Sequence, residues 1–355
     1  MTPDRRPDTT EPFRVASATS TVASTTKFGR WHGRRVLVTG GEGFIGSHLV
    51  ERLVREGATV RAMTLYDPFG RAGWLTPEAH AEVEVLPGDV RDPERVASAV
   101  EGCELVFHLA ALIGIPYSYV APASYTQVNV DGSVNVAAAC RRHGVARLVH
   151  TSTSETYGTA LRVPIAEDHP LQPQSPYSAS KIGADAMVLS FFHAFSLPVA
   201  VVRPFNTYGP RQSTRAVIPT ILSQLHHGAS EIRLGATSPT RDFNYVEDTV
   251  AGFLAVAGCD RALGEVVNVG SGREISIGDL VRLLVAITGS SATVVTDEAR
   301  LRPAGSEVER LLCDNTRARE WAGWRPEVSL EEGLRRTSEW VAEHLELLGP
   351  PGYAV

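Results

Sequence analysis

The sequence predicts an α/β protein built on a doubly wound parallel sheet, and three observations predict it. Short apolar runs alternate with amphipathic helical segments, the pattern of successive βαβ units. The first run, Val36-Leu37-Val38, leads directly into a glycine-rich turn from Thr39 to Gly46. The alternation holds to about Arg203 and then loosens, which marks off a smaller C-terminal α/β lobe.

Arg35–Thr39 reads as a buried first strand, followed by a helix from about Ile45 to Arg55 with Gly57 at its C-terminal cap. Thr59 to Leu65 reads as a second strand and Val83 to Leu86 as a third. Asp92-Pro93-Glu94 opens a helix with a capping carboxylate and proline in the first turn. Leu105–Leu109 is a fourth strand, Asn129–Arg142 a helix, Arg147–Thr151 a fifth strand, Pro176–Phe195 a long helix and Pro198–Val202 a sixth strand. Beyond them, helices over Val217–Leu225, Val246–Ala257 and Ile277–Thr288, with strands Glu231–Leu234 and Val266–Val269, are read as the C-terminal lobe. The resulting division is a disordered extension over 1–33, a nucleotide-binding domain over 34–205 and a substrate lobe over 206–345, with some late segments returning to the first domain. The extension is rich in Thr, Ser, Pro, Asp and Arg and lacks apolar periodicity.

A chain of 355 residues with 43% hydrophobic and 21% charged residues has the composition of a large globular protein. Its net charge of −6 argues against a nucleic-acid or anionic-membrane binder. No run approaches the ~18 apolar residues of a membrane span. The four cysteines, Cys103, Cys140, Cys259 and Cys313, are scattered without Cys-x-x-Cys spacing, so no metal site and a reducing, cytoplasmic setting are expected.

The turn has the spacing Gly40-x-x-Gly43-x-x-Gly46. Gly40 allows the turn, Gly43 lets backbone amides approach a pyrophosphate, and Gly46 allows close packing of helix on strand, with Phe44 and Ile45 opening the helix. The acid that dinucleotide folds place after the second strand is displaced: its position falls on Thr64, with Asp67 three residues on. Asp67 is the candidate for the ribose, whereas Arg61 or Arg71 would favour a 2′-phosphate; NAD is the favoured cofactor and NADP the alternative. Asp89 and Val90, after the third strand, are placed to meet adenine.

Tyr177 and Lys181 are four residues apart and so lie on one helix face. The expectation is a phenol acting as a base, its pKa lowered by the ammonium. Thr153, Ser154 and Glu155 follow the fifth strand, where chemistry sits in such sheets. A carboxylate at Glu155 offers removal of a proton alpha to a ketone, a step that simple epimerisation lacks.

These strings, with His108-Leu109-Ala110-Ala111, Asn129 and Arg203 to Pro210, resemble the extended short-chain dehydrogenase/reductases acting on nucleotide sugars. The resemblance runs from about Arg35 to Trp324. It implies a Rossmann fold, a nicotinamide cofactor contacted also by Leu109, Ala110 and Ala111, and a homodimer. The strip Ser152 to Gly158 is similar to that of GDP-mannose 4,6-dehydratases. Ala111–Tyr119, Pro210–Pro219 and Pro239–Phe243 resemble N-acetylhexosamine 4,6-dehydratases of the legionaminic acid type. The resemblance implies that Asn206 and Arg241 hold the nucleotide diphosphate, that Arg302 and Glu307 meet the nucleoside, and that Arg211 joins the substrate site. It implies a 4-keto-6-deoxy product from UDP-N-acetylglucosamine or a related nucleotide hexose. Ser154 stands where dTDP-glucose dehydratases carry Asp. The same Thr-Ser-Glu pattern occurs in UDP-glucuronate decarboxylases, so decarboxylation and 4-epimerisation are the alternative activities. A catalytically silent nucleotide-binding protein is the alternative of another class.

Overall fold

The strands are nearly continuous runs of Val, Leu and Ala because both faces of the sheet are covered by helices. The computed structural model of the chain describes residues 31–68, 73–75 and 81–348. Most of the expected N-terminal extension lies outside the described residues, but Trp31 is 4% exposed and packs on Phe107. The folded part therefore begins at least three residues before the boundary read from sequence.

In chain order the strands are β1 (Arg35–Thr39), β2 (Thr59–Thr64), β3 (Glu84–Pro87), β4 (Leu105–His108), β5 (Arg147–Thr151), β6 (Val199–Pro204), β7 (Asn206–Tyr208), β8 (Glu231–Leu234), β9 (Thr240–Arg241), β10 (Phe243–Tyr245), β11 (Val266–Val269), β12 (Ile275–Ser276) and β13 (Thr293–Thr296). Seven of them form one parallel sheet in the order β11-β6-β5-β4-β1-β2-β3. Alternate residues of β1 serve opposite faces, as pleating requires: Val36 and Val38 pack with Leu49, Leu53, Val250 and Phe253, whereas Leu37 packs with Val106, Val136, Leu148 and Val188. The strand Val266–Val269 and the helix Val246–Ala257, read from sequence as parts of the C-terminal lobe, belong to this sheet and its covering layer. Three two-stranded sheets, β10-β7, β12-β9 and β13-β8, lie outside the main sheet.

The winding reverses between β1 and β4, which opens a crevice beyond their carboxyl ends. The helix Pro176–Phe195 borders it. Its start is fixed by Ser175, whose hydroxyl accepts from Ser178 N (3.1 Å) while Ser178 Oγ accepts from Ser175 N (3.0 Å), with Pro176 in the first turn.

Below the crevice, this helix carries a buried ionic cluster. The Asp185 carboxylate accepts from Ser152 Oγ (2.6 Å) and Arg203 Nη2 (2.8 Å), and His150 Nε2 stands 3.2 Å from its other oxygen. Arg203 also lies over the Tyr157 ring, 4.8 Å from its centroid. Burial works to raise the Asp185 carboxyl, but the close approach of His150 and the charges of Arg203 and Lys181 overcome it and hold the carboxyl well below the usual carboxylate range. A carboxyl depressed in this way stabilises the fold fully above its unfolded pKa of about 3.9, and the contribution is lost as pH falls toward the native value. Replacing Asp185 by Asn leaves the Arg203 charge buried without its partner. Asp185→Asn is expected to lower unfolding stability by about 3–5 kcal/mol at pH 7. Urea titrations at a series of pH values should show the difference shrinking below about pH 4.

Candidate active site

The glycine-rich turn is built as its spacing predicts. Gly40 has φ +69°, and a Cβ there would lie 2.9 Å from Ala110 N; a Cβ on Gly46 would lie 2.0 Å from the Gly40 carbonyl oxygen. Only glycine fits either position, because helix and turn touch through bare backbone. Gly43 precedes the first helix, Phe44–Arg55, without a side-chain cap. The amides of that first turn thus face outward at the positive end of the helix, as an anion site requires. Phe44 and Ile45 are half-buried there. The turn's cradle fits a pyrophosphate.

At the end of β2, Thr64 is buried and Asp67 is half-buried in the segment that follows. Arg61 is not available to a 2′-phosphate: its guanidinium donates to Glu84 (2.8 Å) and to the carbonyls of Ala99 (2.7 Å) and Glu101 (3.0 Å). Arg71 lies outside the described residues. Glu42, within the glycine turn, was not singled out by sequence reasoning. Its Oε1 accepts from Leu65 N at 2.7 Å. Asp89 accepts from the backbone and guanidinium of Arg91, which hold its carboxyl below the ordinary range. Val90 is buried against the space above Gly132, where a Cβ would meet it at 2.7 Å.

A line of hydrogen bonds joins β1 to the Tyr177 helix. Thr39 Oγ1 accepts from Leu109 N and Ala110 N (3.2 Å each), so its one proton goes to His108 Nδ1 (2.8 Å). Ser133 Oγ donates to Asn129 O (2.6 Å), so it accepts from His108 Nε2 (3.0 Å). Burial holds the His108 ring well below its ordinary pKa, and the neutral ring satisfies both contacts. The Asn129 side chain exchanges two bonds with the Leu112 backbone (2.9 Å each) and donates to Ser180 Oγ (2.9 Å). Ser180 Oγ in turn donates to the Tyr177 carbonyl (2.7 Å). Asn129 sits in a π-helical turn, Thr126–Asp131, ahead of the α-helix Gly132–Arg142, where the sequence reading had one α-helix. The wider turn aims its amide into the site. Leu109, Ala110 and Ala111 line the carboxyl end of β4, all half-buried.

Beyond β5, Thr153 caps the 3₁₀ turn Ser154–Tyr157, accepting from Glu155 N at 3.3 Å. Its hydroxyl is also near enough to the Tyr177 phenol to lower that group's pKa. Ser154 is buried and Glu155 half-buried beside them. Tyr177 is 8% exposed and packs edge-on against Tyr125, with centroids 6.2 Å apart. The expected lowering of Tyr177 by Lys181 is not found. Burial pushes the phenol well above its ordinary pKa, Thr153 pulls it back, and Glu155, Tyr125 and Asp185 raise it further. Lys181 is itself brought down to about 8 by burial, against the pull of Asp185.

In the C-terminal part of the chain, Arg241 Nη2 donates to Glu307 Oε1 at 3.0 Å, and Arg302 Nη1 stands 3.7 Å from the same oxygen. Asn206 pairs in register with Phe243 of β10, two residues after Arg241, and its buried Oδ1 has no partner among the described residues. Arg241, Arg302 and Glu307 therefore form one group, with Asn206 on the strand that pairs with β10. Arg211 is turned elsewhere: with φ +72° it reaches the first helix, its Nη1 2.9 Å from Glu51 and 3.1 Å from Ser47 Oγ. Next to it, His48 Nε2 meets the Pro210 carbonyl at 3.1 Å. Among the described residues, no helix is long and apolar enough to cross a membrane.

A family model described as GDP-mannose 4,6 dehydratase matches residues 37–337. A UDP-glucose 4-epimerase from Mycolicibacterium smegmatis is 36% identical over 86% of this chain and 98% of its own length. A dTDP-glucose 4,6-dehydratase from an Actinoplanes species is 33% identical over 86% and 97%. The crystal structure of DesIV, a dTDP-glucose 4,6-dehydratase from Streptomyces venezuelae with NAD and TYD bound, superposes with a TM-score of 0.81 at 30% identity, covering 90% of this chain and 100% of that one. Together with the glycine turn, the Tyr177/Lys181 helix and the strip after β5, these likenesses establish that the chain is an enzyme of the extended short-chain dehydrogenase/reductases, in the family of nucleotide-sugar 4,6-dehydratases and 4-epimerases.

Proposed function

We propose that the chain is an NAD-dependent nucleotide-sugar 4,6-dehydratase. The observation that carries this reading is Glu155, a carboxylate close enough to Tyr177 to raise its pKa. Bound NAD would take a hydride from C4 of the sugar and return it at C6, leaving the cofactor unchanged overall. Tyr177, as the phenolate, accepts the O4 proton while Thr153 holds the same hydroxyl. Burial works against the phenolate and Thr153 works for it, so Thr153 supports this transfer. Glu155 removes the C5 proton, which the 4-ketone acidifies, and protonates the departing C6 hydroxyl, since Ser154 offers no carboxylic acid; as the hydride returns to C6, C5 takes up a proton from water, which balances the O4 proton that Tyr177 gives back to water. Asn206 and Arg241 bind the diphosphate, and Arg302 with Glu307 binds the nucleoside. UDP-N-acetylglucosamine or a related nucleotide hexose is the proposed substrate.

A second reading, 4-epimerisation, is favoured by the 36% identity to the mycobacterial UDP-glucose 4-epimerase. It uses Tyr177 and Thr153 and leaves Glu155 without a chemical task.

Incubation with UDP-N-acetylglucosamine, UDP-glucose, dTDP-glucose, GDP-mannose and UDP-glucuronate, read by mass spectrometry, separates these readings. Loss of water from a hexose nucleotide is the expected result; an unchanged mass with a new epimer, or loss of carbon dioxide from UDP-glucuronate, sinks the dehydratase. Glu155→Gln should abolish water loss yet still form the reduced cofactor, visible as nicotinamide absorbance in a single turnover. Thr153→Val should lower kcat by about a hundredfold and shift the pH–rate profile to higher pH.

A further inference from the structure

We propose that Glu42 selects the cofactor: its carboxylate accepts a hydrogen bond from the adenosine 2′-hydroxyl of NAD and excludes the 2′-phosphate of NADP. The inference rests on the dinucleotide reading above. Dinucleotide folds place an acid at the end of the second strand for this purpose, and here that position is Thr64. Glu42 delivers a carboxylate to the same spot from a different element. Its Oε1 accepts from the amide of Leu65, the residue that directly follows β2. Its Oε2 is buried and has no hydrogen-bond partner among the described residues.

A carboxylate oxygen shielded from water without a donor is unfavourable, and a ligand hydroxyl would supply the donor. The backbone holds the group in place. Trp74 N donates to the Glu42 carbonyl (2.9 Å), and a Cβ on Gly73 would lie 2.5 Å from that oxygen, so the 73–74 segment packs directly on Glu42. A 2′-phosphate would set a second anion against the carboxylate. The cation nearest in sequence to this strand end, Arg61, is committed to Glu84 and to two carbonyls. Burial raises the Glu42 carboxyl, and a donated hydrogen bond relieves that effect.

Calorimetric titration of the full chain with ADP-ribose, 2′-deoxy-ADP-ribose and 2′-phospho-ADP-ribose tests this without turnover. The wild-type chain should bind ADP-ribose about ten- to a hundredfold more tightly than either analogue. Glu42→Gln keeps an acceptor for Leu65 N but loses the charge, and should narrow the gap to the 2′-phosphate at least tenfold. Equal binding of ADP-ribose and its 2′-deoxy analogue by the wild-type chain overturns the proposal, whether or not the variant folds. A gap that closes in Asp67→Asn but not in Glu42→Gln assigns the ribose to Asp67 and overturns it as well. Binding of none of the three ligands removes the dinucleotide reading itself, a result distinct from loss of discrimination among ligands that do bind.

Discussion

The site depends on one line of hydrogen bonds that runs from Thr39 through His108, Ser133 and Asn129 to Ser180. It begins where β1 enters the glycine turn and ends on the helix that carries Tyr177. Each hydroxyl in it has a single proton, so the direction of donation is fixed from end to end, including the tautomer of His108. A buried chain of this kind is favourable only when every member is satisfied. It therefore ties the nucleotide turn to the helix that carries the phenol.

The second constraint is electrostatic. Asp185, Arg203 and Lys181 are each nearly inaccessible to water, and such charges persist only because they face one another. Burial acts on Tyr177 with the same force, and there no facing cation answers it. The phenol is accordingly pushed above its ordinary pKa.

What the sequence made legible is what depends on local spacing. The turn at Gly40, Gly43 and Gly46 and the pairing of Tyr177 with Lys181 on one helix face follow from backbone geometry over a few residues. The grouping of Arg241, Arg302 and Glu307 was reached through resemblance, since 66 residues separate Arg241 from its partner. Other features were hidden because they arise from contacts between distant segments. The π-helical turn at Asn129 is set by Leu112 and Ser180. The place of Val266–Val269 is set by an open edge of β6. Nothing in the strand pattern reveals Glu42, because its reach to Leu65 exists only once β1 and β2 lie side by side. Lys181 misled for a related reason: proximity on a helix says nothing of how deeply the phenol is buried.

The fastening of Pro210 and Arg211 to the first helix, through His48, Ser47 and Glu51, bears on the cost of recognition. An arginine in a free loop loses rotamer freedom when a ligand arrives, at about 0.5–1.5 kcal/mol for each side chain immobilised. Here that entropy is lost once, during folding. The segment that carries Pro210 and Arg211 is thereby held against the helix that follows the glycine turn before any ligand arrives.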